Sequence, residues 1–200
     1  MVESVINGNA AVRRIQWFTV GWMTIEVVIA LTAAVRTRSV ALAAFGGDSA
    51  IELLSAAVVL ARFRATRGIG ERLATKITGW LLVALAAYIV AHSLYTLLAA
   101  ESKPEVSYLG IGLLVAAAVV MPWLGRRKRQ LATATNSSAL RADAAQSSIC
   151  AYLSWIALAG LLLNAVAHAS WADPVSALGL LPIIVKEAKE SIQGRPCECT

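Results

Sequence analysis

The sequence predicts an all-α polytopic membrane protein, a bundle of six transmembrane helices. The 200-residue chain is 58% hydrophobic and 15% charged, with a mean hydropathy of +0.67, whereas a soluble domain is about half apolar and a quarter charged. The apolar residues also form stretches long enough to cross a bilayer, which takes roughly 20 residues of helix. The predicted spans are 15–35, 40–61, 77–99, 107–124, 140–167 and 172–192.

The spans differ in their support. Trp17 near the start of the first span and Trp80 in the third lie where membrane-interface aromatics are expected. The second and fifth each carry a polar cluster inside an apolar stretch. The sixth is the weakest, because its apolar run from Pro174 to Val185 is short and needs amphipathic turns through Ile192 to complete it.

The basic residues predict the orientation of the bundle. Fifteen of the 18 Lys and Arg residues fall on one side of the predicted membrane, and Arg36, Arg38 and Lys103 fall on the other. Because cytoplasmic loops carry the excess of positive charge, we expect both termini in the cytoplasm, in a multi-pass protein of the cell (inner) membrane. The predicted segments are a cytosolic N-terminal segment 1–14, a transmembrane domain 15–192 and a cytosolic tail 193–200.

Composition and motifs exclude several classes of protein. The longest predicted loop, Gly125 to Ala139, is short, basic and polar, so no soluble catalytic domain is expected. Basic residues spread over short loops do not form one charged face, so we expect no nucleic-acid partner. Glycine-rich phosphate loops and the GxSxG and HExxH motifs are absent from the sequence, and its 3 cysteines do not make a disulfide framework. We expect no enzyme and no required cofactor.

Two carboxylates lie inside the second predicted span. Asp48 and Glu52 are four residues apart, so a helix places them on one face. Each charged carboxylate near a bilayer centre costs about 2.5–3.5 kcal/mol or more, and a divalent cation held between the oxygens would offset that cost. The pattern predicts ion binding within the lipid bilayer. A structural polar pair bonded to neighbouring helices is the alternative.

The fifth span carries a second polar face. Asp143, Gln146, Ser147 and Cys150 follow an i, i+3, i+4, i+7 spacing and share one side of a helix. With a rise of about 1.5 Å per residue, Cys150 is expected at the same depth as Asp48, whereas Asp143 is expected near the cytosolic entrance. If the two polar faces meet, they supply carboxylates, an amide oxygen and a thiol around one point.

Three acidic residues are open to more than one interpretation. Glu26, near mid-depth in the first span, is either a proton-coupling carboxylate or a helix-packing contact. Asp143 is either a ligand, a residue of the entrance pathway, or a first-turn acid favoured by the helix dipole or paired with Arg141. Asp173 precedes Pro174 and is expected to cap the last helix.

The cysteines and the glutamine also allow structural interpretations. Cys150 is either a metal ligand or a small buried hydrophobe, and Gln146 is either a ligand or a hydrogen bond between helices. Cys197 and Cys199, in the tail, are expected either to capture metal in the reducing cytosol or to lie in a disordered terminus.

The two polar pairs resemble those of the cation diffusion facilitator (cation efflux) superfamily. The pair Asp48-xxx-Glu52 within GGDSAIELLSA is similar to the D/HxxxD pair on the second helix of those transporters. The segment LRADAAQSSIC at 140–150 is similar to their fifth-helix HxxxD frame, with Gln146 in place of His and Cys150 in place of Asp. The two motifs occur on the second and fifth predicted spans, which are the helices that carry them in the superfamily, and in the same order along the chain.

Other parts of the chain extend the resemblance. The step Trp171-Ala172-Asp173-Pro174 is similar to a WADP-like turn of the superfamily, and six spans with both termini inside match its topology. The resemblance covers about 15–192 and is greatest to the small branch that lacks the cytosolic C-terminal metal-binding domain. It implies a homodimer held by helix contacts. Small residues on the fourth helix allow close helix approach but do not fix where the dimer contact lies: Gly110, Gly112, Ala116, Ala117 and Ala118.

The resemblance implies proton-coupled efflux of a divalent transition metal through a site at the membrane midplane. Its ligands would be Asp48, Glu52, Gln146 and Cys150, with Asp143 as a further candidate. A thiolate with carboxylates suits Zn²⁺, with Cd²⁺, Co²⁺, Mn²⁺ and Fe²⁺ as further candidates. Desolvation and mutual repulsion favour protonated carboxylic acids in the empty site, so metal binding would release protons.

Two other functions compete with transport. A metal-binding sensor or regulatory membrane subunit would use the same site without moving an ion, and the replacements at Gln146 and Cys150 keep that alternative open. A membrane enzyme is disfavoured, because no nucleophile, base or cofactor motif accompanies the acidic residues.

Overall fold

The computed structural model describes residues 2–62, 71–98 and 104–193. These residues contain no strand, which confirms the predicted all-α fold. They form six helices: α1 (Val2–Thr37), α2 (Val40–Arg62), α3 (Glu71–Leu98), α4 (Tyr108–Ala134), α5 (Ser138–Ala167) and α6 (Ala172–Gln193).

Five of these helices, α1 to α5, contain segments long and apolar enough to cross a membrane. Helix α6 forms where the sixth span was predicted, but its described residues, Ala172–Gln193, contain no segment of the same length and apolar character, as the short run between Pro174 and Val185 indicated. A helix satisfies its backbone hydrogen bonds internally, which a chain in hydrocarbon requires. The chain is an all-α polytopic membrane protein.

Several predicted boundaries differ from the structure. Helix α1 begins at Val2, so residues 2–14 continue the first span as one helix. The predicted loop from Gly125 to Ala139 is wrong, because α4 continues to Ala134 and α5 starts at Ser138. Arg, Lys, Gln, Leu and Ala are good helix formers, so the basic composition there marks a polar helical segment and not a helix end.

Helices α2 and α5 lie at the centre of the bundle. Helix α2 contacts α1, α3, α5 and α6, and α5 contacts α2, α4 and α6. The core between the helices includes Phe45, Met121 and Leu153, which are fully buried. Helix α3 turns much of its surface outward, including Trp80, which is 63% exposed. The polar faces predicted on α2 and α5 therefore lie on the two most enclosed helices.

A glycine sets the distance between α5 and α6. A Cβ atom at Gly160 would lie 2.1 Å from Ser176 Oγ and 3.2 Å from the Ala172 carbonyl oxygen. Small residues allow membrane helices to approach closely, and here only a glycine leaves room for the Ser176 side chain.

The small residues of α4 divide between two environments. Gly110, Ala117 and Ala118 are buried inside the chain, and a Cβ atom at Gly110 would lie 2.6 Å from Leu42 Cδ1. Gly112, in contrast, faces open space, and a Cβ atom added there would have no neighbour within 4 Å among the described residues. Three of the five small residues that were expected to allow close helix approach are therefore used for packing within one chain.

Candidate metal centre

Helices α2 and α5 bring three of the predicted ligands together. Asp48, Glu52 and Cys150 are all fully buried. The Cys150 thiol lies beside both carboxyl groups, because it projects from the face of α5 that meets α2. The sequence-based expectation that Cys150 and Asp48 share a depth agrees with this contact.

Glu26 from α1 joins this group through a serine. Ser49 Oγ donates to Glu26 Oε2 at 3.2 Å and lies 4.0 Å from Cys150 Sγ. Trp22 Nε1 donates to the other oxygen, Glu26 Oε1, at 2.5 Å. Glu26 is fully buried and has a donor on each carboxylate oxygen. It is connected to the α2–α5 cluster by hydrogen bonding through Ser49, and its role as a coupling carboxylate or a packing contact stays a prediction.

Several acceptor atoms in the cluster are left without donors. Both carboxylate oxygens of Asp48, together with Glu52 Oε2 and Asp143 Oδ1, are buried and accept no hydrogen bond from the described residues. Buried polar groups in proteins nearly always have a partner, and an unpaired carboxylate in a bilayer is costly. These oxygens are the chemical type that a cation or a proton would satisfy.

A second layer of polar residues lies one to two helical turns from Asp48, towards the end of the bundle where α4 passes into α5. Lys128 Nζ lies 2.9 Å from Asp143 Oδ2 and 3.6 Å from Glu52 Oε1. Lys128 also donates to Ser147 Oγ at 2.8 Å, and Ser147 donates to Glu52 Oε1 at 2.5 Å. The fully buried ammonium therefore connects the carboxylates of α2 and α5.

Gln16 of α1 completes this second layer. Its Nε2 atom donates to Asp143 Oδ2 at 2.7 Å, and both side chains are fully buried. Asp143 was predicted near the cytosolic entrance, with Arg141 as one candidate partner. Its partners in the structure are Lys128 and Gln16, and Arg141 is exposed. The carboxylate is thus part of the bundle interior.

Sequence reasoning missed Lys128 because it lies within a run of basic residues that was interpreted as a loop. A periodic signal was nevertheless present, since Ala117, Met121, Leu124, Lys128 and Ala132 are spaced by three or four residues and are all buried. The lysine continues the inward face of α4 beyond the apolar segment. It is therefore not one of the solvent-exposed charges that set orientation.

The remaining candidate ligands are Gln146, Cys197 and Cys199. Gln146 is buried, and its Nε2 atom has no hydrogen-bond partner among the described residues. Cys197 and Cys199 lie outside the described residues. Across residues 2–62, 71–98 and 104–193, no group of three or more His, Cys, Asp and Glu side chains is arranged to hold a metal ion in this conformation. A metal site on Asp48, Glu52 and Cys150 would need their donor atoms to converge further.

Asp173 does not cap its own helix, so that prediction is wrong. It lies inside the first turn of α6, and its Oδ2 atom accepts from the backbone nitrogens of Val40 at 2.8 Å and Ala41 at 3.3 Å. Its Oδ1 atom accepts from Ser39 Oγ at 2.5 Å. The backbone nitrogens of Val40 and Ala41 are free donors at the start of α2. Asp173 therefore links α6 to the helix that carries Asp48 and Glu52.

Comparison with known proteins agrees with this architecture. Residues 19–192 match the model of the cation efflux transmembrane domain, and a comparison with curated proteins gives no significant match. The matched region includes all six helices in whole or in large part, and both polar pairs. The chain belongs to the cation efflux (cation diffusion facilitator) family of membrane cation transporters.

Proposed function

We propose that this protein exports a divalent transition metal, with Zn²⁺ as the principal substrate, in exchange for protons. One observation carries the proposal: the two carboxylate oxygens of Asp48 are buried and accept no hydrogen bond from the described residues. Glu52 and Cys150 lie beside it. A divalent ion would convert these unpaired acceptors into ligands and offset the cost of holding them in the membrane.

The ligand types support zinc. Zn²⁺ binds thiolate sulfur and carboxylate oxygen in four-coordinate sites, and Asp48, Glu52 and Cys150 supply both. Gln146 is the proposed fourth ligand, with Asp143 lining the pathway or replacing it. Thiolate also suits Cd²⁺ and Co²⁺, while Mn²⁺ and Fe²⁺ are expected to bind less well because they favour harder donors.

Proton exchange follows from the same site. Metal binds the deprotonated ligands, so binding releases protons and protons displace the ion. Glu26 is the proposed coupling residue, because Ser49 connects it to Cys150 and a proton can pass along hydroxyl and carboxyl groups. Glu26 would hold a proton when the metal site is occupied and pass it towards the ligands as the site empties, after which it would be reprotonated.

The transport cycle we propose is alternating access around the α2–α5 site. The end of the bundle where α4 passes into α5 would face the cytosol, because Arg126, Arg127, Arg129 and Arg141 are exposed there. Both termini would then be cytoplasmic, in the cell membrane. The proposed homodimer follows the family resemblance, with the open surface around Gly112 as a candidate contact.

Uptake into proteoliposomes tests the function. Purified protein is reconstituted with a metal-sensitive or pH-sensitive dye inside, and Zn²⁺, Co²⁺, Cd²⁺ and Mn²⁺ are added in turn. We expect zinc entry to move protons outward, and collapse of the pH gradient to slow zinc flux. Binding without flux would identify a sensor or regulatory subunit, and flux that ignores the proton gradient would leave a facilitator without exchange.

A further inference from the structure

Lys128 is a buried charge that the proposed ligand set does not use. Its side chain is fully buried, with Nζ 2.9 Å from Asp143 Oδ2 and 3.6 Å from Glu52 Oε1. It also donates to Ser147 Oγ, which in turn donates to Glu52. A positive group of the protein thus occupies the space between two carboxylates that belong to the candidate metal centre.

The basic composition of α4 does not by itself explain this burial. The neighbouring cations Arg126, Arg127 and Arg129 are exposed, whereas Lys128 faces inward. Removing an ammonium from water is costly unless carboxylates and hydrogen bonds compensate it. The contacts with Asp143, Glu52 and Ser147 are that compensation, so Lys128 belongs to the polar site and not to the basic surface.

The position of Lys128 gives it a place on the route to Asp48. Glu52 follows Asp48 by one helical turn, and Asp143 precedes Cys150 by about two turns, so Lys128 lies on the α4–α5 side of the candidate ligands. An ion that arrives from that end meets the Lys128 pair first. It must separate the ammonium from the carboxylates before it reaches Asp48.

The carboxylates also have a way to begin that exchange. Glu52 Oε2 and Asp143 Oδ1 accept no hydrogen bond from the described residues, although the second oxygen of each group contacts Lys128. An arriving cation can therefore engage the unpaired oxygens while the ammonium still holds the paired ones. The lysine has a flexible four-carbon stem, which allows it to withdraw.

We propose that Lys128 is a tethered competitor of the transported cation. Its ammonium occupies Glu52 and Asp143 when the ion is absent, and the ion displaces it on binding. The inference rests on the proposed metal site at Asp48, Glu52 and Cys150. Competition of this kind weakens metal affinity and speeds release, because the ammonium returns to the carboxylates as the ion departs.

Metal titration of the full chain in nanodiscs tests this role with Zn²⁺ and Cd²⁺ as probes. Lys128→Met removes the charge and keeps an unbranched side chain one atom shorter, and Arg126→Met is the matched control for an exposed cation on the same helix. When one bound group alters the affinity for another, the change is commonly about 5–150-fold, so we expect Lys128→Met to bind metal about tenfold more tightly. In vesicles its KM and its maximal flux should both fall, while Arg126→Met matches the wild type.

The outcomes separate this inference from the proposed function. If Lys128→Met folds and binds Zn²⁺ and Cd²⁺ no more tightly than the wild type does, the proposal that Lys128 is a tethered competitor is overturned. If Lys128→Met does not fold, Asp143→Asn is compared with the double variant Lys128→Met/Asp143→Asn. The double variant should bind metal more tightly, because Glu52 no longer contacts an ammonium. Equal or weaker metal binding by the double variant overturns the inference. Asp48→Asn is titrated in parallel: if it still binds as the wild type does, the metal site itself is misplaced.

Discussion

The ammonium of Lys128 lies 2.9 Å from the carboxylate of Asp143, and neither side chain is exposed. The pair joins α4 to α5 close to Gly125, where a Cβ atom would lie 2.8 Å from Ser148 Oγ. Packing of the two helices and the charge balance of the candidate metal centre therefore depend on neighbouring contacts between α4 and α5. A change to either member should affect both stability and ion binding.

The stability of this pair can be measured by removing its acidic member. Asp143→Ala takes away the nearest carboxylate of Lys128 and the acceptor of Gln16. Removing one partner of a buried ion pair costs about 3–5 kcal/mol, and we expect the lower end because Glu52 stays close to Lys128. Unfolding in detergent micelles measures the loss.

An exposed ion pair is the control for that experiment. Lys186 Nζ lies 4.0 Å from Glu190 Oε1 on α6, and the lysine side chain is 70% exposed. Lys186→Met should change the unfolding free energy by less than about 0.5 kcal/mol, since solvent screens such pairs. A similar small change for Asp143→Ala would contradict the assignment of the buried pair as a structural contact.

The contact of Asp173 with the start of α2 makes a second prediction. Asp173→Ala leaves the backbone donors of Val40 and Ala41 without their side-chain acceptor. Loss of a helix cap commonly costs about 0.5–2 kcal/mol, and burial places this one at the upper end. Asp173→Asn keeps one acceptor and should lose less; equal losses for the two variants would show that the cap is not responsible.

Gly160 gives a steric prediction with a matched control. Gly160→Ala places a methyl group 2.1 Å from Ser176 Oγ, and overpacking of this kind costs about 1–3 kcal/mol. Gly112→Ala adds the same group where no described atom lies within 4 Å, so it should be neutral or slightly stabilising through helix propensity. Thermal unfolding compares the two variants, and Ser176→Ala is tested for rescue of Gly160→Ala. Equal stability of Gly160→Ala and Gly112→Ala would contradict the close packing of α5 on α6.

Much of the fold could be predicted from the sequence because the membrane imposes simple rules. Apolar stretches of fixed length indicated six helices, and α2 begins at Val40 as predicted. The i, i+4 spacing of Asp48 and Glu52 placed both on the inner face. Family motifs then directed attention to Cys150, which lies beside them. Each of these inferences depends on local spacing along one helix.

The rest depended on contacts between distant parts of the chain. Lys128 belongs to a basic run whose composition is also that of a cytosolic loop, so only the inward periodicity of α4 distinguishes it. Asp173 precedes Pro174 as a helix cap does, yet its carboxylate reaches the start of α2 instead. Gln16 is one polar residue in a long helix, and nothing near it in sequence indicates Asp143 as its partner.

Metal preference should depend on the sulfur of Cys150. In Cys150→Asp a harder oxygen donor replaces the thiolate, so affinity should shift from Cd²⁺ towards Mn²⁺, with Zn²⁺ still bound. Cys150→Ser should weaken Zn²⁺ and Cd²⁺ together, because a hydroxyl is a poor anionic ligand. The ratio of Cd²⁺ to Mn²⁺ affinity in wild type and Cys150→Asp is the measurement, and an unchanged ratio would assign Cys150 to packing alone.

Zinc flux through Asp48→Asn is the most direct test of the central claim, that the buried Asp48 carboxylate with its unpaired oxygens is a metal ligand. The substitution keeps the shape of the side chain and removes the charge that a cation needs. We expect reconstituted Asp48→Asn to remain folded, as its unfolding curve should show. Its zinc transport should fall at least about a hundredfold, which corresponds to a loss of roughly 2.7 kcal/mol in stabilisation of the bound ion. Wild-type flux in the folded variant would contradict that claim.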